Sequence, residues 1–182
     1  MLDKIRHSKF GEHNLILYED YDLLSNIRLE YCKTALESLN EMVFLLSDNA
    51  FISKLFLGLK KTGLDLQKYR SEGSLVVVEP KKGYFSLTNE LVDLMIMINM
   101  LLQRLSKLRK NGLTIFSDKG LFFHDNRIDD LIKHEKGLFL SLSSSKYQNR
   151  MKTFCCYTMT DFELLTEYQK RLLIDNHKVI IQ

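Results

Sequence analysis

The chain has 182 residues, of which 45% are hydrophobic and 27% charged, so its length suits a single folded domain and its composition excludes a disordered chain. The formal net charge of +3 is small and basic residues alternate with acidic ones, which argues against direct binding of nucleic acid. The most apolar stretch, 91–102, spans about a dozen residues, whereas a membrane-crossing helix needs roughly 20.

Short apolar runs alternate along the chain with segments in which apolar residues recur at helical spacing. In chain order the predicted elements are a strand at 14–18, a helix at 21–39, a strand at 41–47, a helix at 49–61, a strand at 74–79, a helix at 88–110, a strand at 113–116, a helix at 126–142, a strand at 151–157, a helix at 161–175 and a strand at 178–182. This alternation is typical of the α/β class and predicts a three-layer α/β/α fold with a mostly parallel central sheet. We predict one domain over residues 1–182, with residues 1–10 as an N-terminal extension.

The turn after the first predicted strand bears on nucleotide binding. Nucleotide-binding α/β proteins place a glycine-rich loop there, because backbone N–H groups must approach the phosphates closely. This chain has Glu19, Asp20, Tyr21 and Asp22 instead, and their carboxylates would repel phosphate. Neither the Walker pattern nor GxGxxG occurs anywhere in the sequence. The turn therefore predicts a sheet without a phosphate-binding loop.

One charged residue, Glu135, falls on the apolar stripe of the predicted helix 126–142. It lies at helical spacing from Leu131, Leu138 and Leu142. A carboxylate on an apolar face must find a hydrogen-bond partner or take up a proton. Two interpretations stay open, namely a structural bond inside the protein and a polar contact to a ligand in an apolar pocket.

The histidines and cysteines show no local metal-binding or catalytic motif. None of the five histidines is spaced from another histidine or a cysteine as metal ligands usually are, so we expect neither a metal nor another cofactor. His13 and His177 precede strands, where capping or packing is the ordinary role. Cys155 and Cys156 lie in a predicted central strand, and we expect reduced thiols packed in the core of a cytoplasmic protein. No GxSxG elbow occurs, so nothing local predicts an enzyme.

The segment Leu91–Leu102 is apolar around nearly its whole circumference. Ile96, Met97 and Met100 lie outside the stripe that one core-facing side requires. A surplus apolar face must be buried by something. Deep burial within the domain, a homodimer surface and a methionine-lined pocket are the interpretations left open.

Segments spread from Phe10 to Gln182 resemble those of the MEDS family, a sensory domain named for methanogens, methylotrophs and the DcmR regulator. The segments that carry the resemblance are His13 with 15–18, 73–78 with Tyr84, 112–118, His134 with Glu135, 154–157, and His177. Thr158 and Lys178 depart from the Asp and Pro that are frequent in the family. The resemblance implies a RecA/KaiC-like fold that has lost its P-loop and a role in sensing small, often hydrocarbon-derived molecules.

The acidic turn and the resemblance together favour a non-enzymatic sensory domain that binds a small organic ligand beyond the carboxyl ends of the strands. The residues predicted to contact this ligand are His13, Tyr18, Tyr84, Glu135, Tyr157 and His177. Only about ten residues precede the predicted domain, so we expect the signal to leave through a homodimer formed by the Leu91–Leu102 helix or through a separate regulator or kinase chain. The alternatives are a degenerate KaiC/RecA-like nucleotide-binding protein and a purely structural interaction module.

Overall fold

A parallel sheet forms the centre of the protein, as seen in a computed structural model that describes residues 2–47, 49–79, 90–144 and 149–181. The six strands are β1 (His13–Tyr18), β2 (Met42–Leu46), β3 (Leu75–Val78), β4 (Leu113–Asp118), β5 (Met151–Thr158) and β6 (Val179–Ile181). Their order across the sheet is β3-β2-β4-β5-β1-β6, and each neighbouring pair is parallel. The α/β class and the parallel sheet predicted from the sequence are confirmed.

Helices cover both faces of this sheet. They are α1 (Leu2–Arg6), α2 (Tyr21–Glu37), α3 (Asn49–Lys61), α4 (Leu66–Glu72), α5 (Glu90–Leu108), α6 (Gly120–His124), α7 (Ile128–Leu142), α8 (Met159–Glu163) and α9 (Glu167–Asn176). Helices α1 to α4 pack on one face and α5 to α9 on the other, and each side has its own hydrophobic core. The result is the predicted arrangement of three layers.

The side chains of β5 are divided between the two cores. Cys155 and Tyr157 face α5 to α9, whereas Phe154 and Cys156 face α1 to α4. All residues of 151–157 are buried, as expected for a strand that is covered on both sides. Because side chains alternate along a strand, the two adjacent cysteines lie on opposite faces of the sheet.

The short helices α1, α4 and α6 were not predicted, and the helix predicted over 161–175 is in fact two helices, α8 and α9. Helices of five to seven residues are too short to show a clear hydrophobic period. Tertiary burial anchors two of them, since Ile5 of α1 and Phe122 of α6 are fully buried. Thr158 caps α8 and Thr166 forms a capping box at the start of α9, so the chain begins a new helix at each threonine.

The outer face of α5 exposes apolar side chains. Ile96 is 54% exposed and Met100 is 65% exposed, whereas Ile98 on the inner face is fully buried. Met97 is partly buried against the core on this side of the sheet. Deep burial of the surplus face within the domain is therefore wrong for Ile96 and Met100, and a homodimer surface stays a prediction. None of the helices in the described part of the chain is both long and apolar enough to span a membrane.

Candidate functional site

A buried group of polar side chains lies between the sheet and helices α7 and α9. We call it the Glu135 cluster, and it consists of His13, Lys119, Glu135, Cys155, Tyr157 and His177. Glu135 and Lys119 are fully buried, and the two histidines are at most 7% exposed. A charged group so far from water must be neutralised and hydrogen-bonded by its neighbours. The contacts of the two carboxylate oxygens show how this is achieved.

One oxygen of Glu135, Oε1, is held by two donors. The Tyr157 hydroxyl donates to it over 2.9 Å, and the Lys119 ammonium nitrogen lies 2.9 Å away. Tyr157 reaches the carboxylate from β5, and Lys119 reaches it from the residue that follows β4. This side of the carboxylate is a fully buried ion pair supported by a hydrogen bond.

The other oxygen, Oε2, faces nitrogen and sulfur atoms. It lies 3.1 Å from Nε2 of His13, 3.5 Å from Nε2 of His177 and 3.5 Å from Sγ of Cys155. His13 Nε2 is also 3.2 Å from Cys155 Sγ. These four residues each present one atom of a type that ligates metals, and the four atoms lie within 4.8 Å of one another. The expectation of no metal rested on local spacing, which does not apply to residues that the fold brings together from distant positions.

Both histidines are oriented by backbone carbonyls. Nδ1 of His13 lies 3.2 Å from the carbonyl oxygen of Asn176, and Nδ1 of His177 lies 2.6 Å from that of Leu173. A carbonyl oxygen can only accept, so both Nδ1 atoms carry the proton. The two rings stack with their centroids 3.9 Å apart and their planes inclined by 31°. Each ring therefore directs its other nitrogen, Nε2, toward Glu135.

Burial and charge shift the pKa values of this cluster in different directions. Burial alone would raise the pKa of Glu135, but Lys119, His13 and His177 together hold it well below its ordinary value. Burial lowers the pKa of His177 to about 3. Burial and the Glu135 carboxylate raise the pKa of the Cys155 thiol well above its ordinary value. These shifts favour the ionised form of Glu135 and the protonated form of the Cys155 thiol.

A cleft of about 410 Å³ leads from the surface to the two histidines. Its lining residues are Gly11, His13, Phe139, Leu142, Ser143, Asp175, Asn176, His177 and Lys178. His13 begins β1 and His177 lies two residues before β6, so this cleft opens near the amino ends of these strands. The sequence predicts a ligand beyond the carboxyl ends, as is usual for open parallel sheets, and that position stays a prediction.

Of the other two predicted contact residues, the structure describes only Tyr18, which does not join the cluster. Tyr18 is buried on the opposite face of the sheet, where burial and the nearby Asp118 raise its pKa. There the fully buried Arg28 lies 3.6 Å from the Asp118 carboxylate and 3.4 Å from the Ser47 hydroxyl. Tyr84 lies outside the described residues. Of the six predicted residues, the structure brings together His13, Glu135, Tyr157 and His177.

Residues 12–167 match a known protein family, the MEthanogen/methylotroph, DcmR Sensory domain, or MEDS. The chain belongs to the MEDS family. The matched region contains the whole Glu135 cluster except His177. The resemblance noted from the sequence is confirmed, and with it membership in a family of sensory domains.

The fold of this MEDS chain is also found in a solved structure. It is similar to a KaiC-like protein of the hyperthermophilic archaeon Pyrococcus horikoshii OT3, with a TM-score of 0.55 and 13% sequence identity. The alignment covers 94% of the MEDS chain and 72% of the archaeal chain. At this identity the likeness concerns the fold alone. No curated protein sequence matches the chain.

The acidic turn after β1 caps the N-terminus of α2 with one of its own side chains. The Asp20 side chain accepts hydrogen bonds from the backbone N–H groups of Asp22 (2.7 Å) and Leu23 (3.2 Å) at the start of α2. These are donors that a phosphate group would need at this position of the fold. An aspartate cap therefore takes the place of a bound anion, which agrees with the missing phosphate loop.

Two members of the cluster, Lys119 and Cys155, were missed in the sequence. Lys119 follows a strand directly and carries no signal of its own, and Cys155 was assigned to core packing. The pattern Cys-x-Tyr at 155–157 did hold a signal, because residues two apart on a strand share a face. Since Tyr157 was a predicted contact residue, Cys155 could have been placed beside it.

Proposed function

We propose that this MEDS chain is a non-enzymatic sensory domain that binds a small organic ligand in the cleft in front of His13 and His177. The observation that carries the proposal is the position of these two histidines. They contact the buried carboxylate of Glu135 on one side and line the cleft on the other. A molecule in the cleft would therefore touch the cluster directly.

The size and lining of the cleft suit a small, partly apolar molecule. A volume of about 410 Å³ lies at the lower end of the range of roughly 300–1,000 Å³ that is common for small-molecule sites. Phe139 and Leu142 supply apolar walls, and Ser143 and Asn176 supply polar groups beside the histidines. Such a mixture favours a compact organic molecule with one polar function over a nucleotide.

The elements around the cleft also offer a path for a signal. The cleft is formed by the carboxyl ends of α7 and α9, and α7 carries Glu135 at its buried face. A ligand changes a conformational equilibrium only as far as it binds one state better than the other. We propose that ligand binding favours one position of α7 relative to α9, and that a second copy or a partner chain reads this position.

A thermal-shift screen of the full chain against small organic compounds tests the proposal. A ligand at a hundredfold excess over its Kd should stabilise the fold by about 2.7 kcal/mol. Ser143→Trp fills the cleft and should abolish this gain, whereas Ser144→Trp is the matched control, since Ser144 is exposed and does not line the cleft. Absence of stabilisation by every compound, or an equal gain in Ser143→Trp, contradicts the proposal. Stabilisation by ATP with magnesium in place of an organic compound would support a nucleotide-binding protein.

A second candidate function, a structural interaction module, is favoured by the exposed apolar face of α5. Ile96 and Met100 project there without cover from the described part of the chain. Stable association of two chains through this face, with no organic ligand found, would favour the second candidate.

A further inference from the structure

The donor atoms of the Glu135 cluster have the types and spacings of a metal site. They are two imidazole nitrogens, one carboxylate oxygen and one sulfur, all buried. Metal–ligand bonds of about 2.0–2.3 Å in a tetrahedral site place neighbouring ligand atoms about 3.3–3.8 Å apart. The separations of 3.1, 3.2, 3.5 and 3.5 Å among the donor atoms of His13, Glu135, Cys155 and His177 are close to this spacing.

The groups around these donors match the outer shell of a metal site. A histidine that binds a metal usually donates its other ring N–H to a carbonyl or carboxylate, which fixes the nitrogen that faces the metal. Both His13 and His177 do so, through the carbonyls of Asn176 and Leu173. The ligating carboxylate is hydrogen-bonded as well, since Tyr157 and Lys119 hold Oε1 of Glu135 and leave Oε2 to the histidines.

The Nε2 atom of His177 supplies an independent observation. It is buried and has no hydrogen-bond partner among the described residues. Nδ1 of this ring lies 2.6 Å from the Leu173 carbonyl oxygen, so Nε2 is the ring atom that faces the carboxylate oxygen, at 3.5 Å. A buried polar atom without a hydrogen-bond partner is unfavourable unless a bound group satisfies it.

We propose that His13, Glu135, Cys155 and His177 bind a divalent transition-metal ion, with zinc as the ion that this donor set suits best. A thiolate and two imidazoles favour zinc or a neighbouring first-row metal over magnesium or calcium, which prefer oxygen ligands. Cys155 loses its proton to solvent when it binds, so the ion has two anionic ligands, and the group as a whole carries one positive charge because Lys119 also lies against Glu135. The cleft lined by His13 and His177 supplies a route from the surface.

The metal site extends the proposed function and rests on it in one respect, because that function assigns the cleft to an organic ligand. The ion would form the floor of the cleft, where an organic ligand could approach it. The two proposals can fail separately, because metal binding is measured without any organic compound and ligand binding is measured with a chelator present.

Cobalt(II) is the probe for the test, because tetrahedral cobalt absorbs visible light and a cobalt–thiolate bond adds a charge-transfer band in the near ultraviolet. The full chain is stripped of metal and titrated with Co²⁺, and elemental analysis after dialysis against Zn²⁺ gives the stoichiometry. We expect one ion per chain with both spectral features. A wild-type chain that shows neither feature and retains no zinc overturns the proposal.

Variants separate these four residues from their neighbours. Cys155→Ser should lose the charge-transfer band, and His177→Gln should weaken Co²⁺ binding by more than about 100-fold, because a direct ligand matters more than an outer-shell group. Cys156→Ser and His134→Gln are matched controls one residue away, and both should bind as the wild type does. If Cys155→Ser keeps the band, or if the controls lose binding as the ligand variants do, the assignment is wrong.

Tyr157→Phe tests the groups around the four ligands, and it keeps the proposal testable if the ligand variants fail to fold. It keeps all four ligands and removes only the hydroxyl that orients Glu135. Circular dichroism should show an intact fold, and Co²⁺ should bind about 10–100-fold more weakly with its charge-transfer band retained. Unchanged affinity in this folded variant would contradict the outer-shell role of Tyr157, and loss of the band would contradict the ligand role of Cys155.

Discussion

Among the residues that the structure describes, two glutamates, Glu41 and Glu135, are buried with similar partners but differ in one respect. Glu41 lies on the α1–α4 face and accepts from the hydroxyls of Tyr31 (2.9 Å) and Thr114 (2.6 Å) and from the ammonium of Lys152 (3.0 Å). Glu135 likewise has a tyrosine and a lysine at one oxygen. Its other oxygen, however, faces imidazole nitrogens and a thiol instead of further hydroxyl or ammonium donors.

From this difference we infer that the Glu41 group is structural, whereas the Glu135 cluster is a candidate binding site. Both oxygens of Glu41 receive donors, and Lys152 also donates to the carbonyl of Ser8 (3.3 Å) and lies over the ring of Phe10 (4.9 Å). The Glu41 group therefore fastens the N-terminal segment to the sheet. At Glu135 the groups around Oε2 are atoms that can ligate a metal, and two of the residues also line a cleft.

The largest effect is expected from Lys152→Met, which leaves Glu41 buried without its cation. Removal of one partner of a buried ion pair costs about 3–5 kcal/mol of unfolding free energy. Urea unfolding measures this loss. Lys133→Met is the control, because the Lys133 side chain is 76% exposed and its removal should cost less than about 0.5 kcal/mol. Equal losses in the two variants would contradict a structural role of the Glu41 group.

The next largest effect is expected from zinc, whose stabilisation of the fold should depend on Glu135 and not on Glu41. At a zinc concentration a hundredfold above its Kd, the wild-type chain should gain about 2.7 kcal/mol of unfolding free energy. Glu41→Gln should keep this gain, and Glu135→Gln should lose most of it, although both variants remove the same charge from a buried tyrosine–lysine pair. Unfolding curves with and without zinc measure the difference. A gain that survives in Glu135→Gln would place the metal elsewhere.

The two tyrosines form a matched pair with a smaller expected effect. In the metal-free chain, Tyr31→Phe and Tyr157→Phe each remove a hydrogen bond to a buried carboxylate and should each cost about 1.5–3 kcal/mol. Only Tyr157→Phe should also weaken metal binding, since Tyr31 lies on the opposite face of the sheet. Weaker cobalt binding by Tyr31→Phe would show that the two groups are coupled through the sheet.

The smallest effect on stability is expected outside both groups, on the surface of α5. Met100→Glu should change the unfolding free energy by less than about 0.5 kcal/mol, because Met100 is 65% exposed. Analytical ultracentrifugation should show a wild-type dimer that Met100→Glu converts to a monomer. Leu140→Glu on α7 is the control, since Leu140 is exposed to a similar extent, 69%. A monomeric wild type, or dissociation by both variants, would contradict a dimer through α5.

Part of the candidate site could be read in the sequence through local signals. Glu135 is predicted because a carboxylate interrupts an apolar helical stripe, and the acidic turn, which lies outside the site, is recognised because nucleotide-binding α/β proteins have glycine there. Lys119 and Cys155 could not be found in the same way. Their function depends on neighbours that come from other strands and helices, and no local pattern records those neighbours.

The sequence by itself determined the α/β class, the alternation of strands and helices along the chain, and the absence of a phosphate loop. These features follow from hydrophobic period and turn chemistry, which are local properties of a chain. Only the tertiary structure decided that residues 13, 135, 155 and 177 converge, that adjacent cysteines face opposite cores, and that the cleft opens near the amino ends of β1 and β6. The physical reason is that strand order and helix packing bring distant segments within a few ångströms, and these contacts alone turn four ordinary side chains into a site.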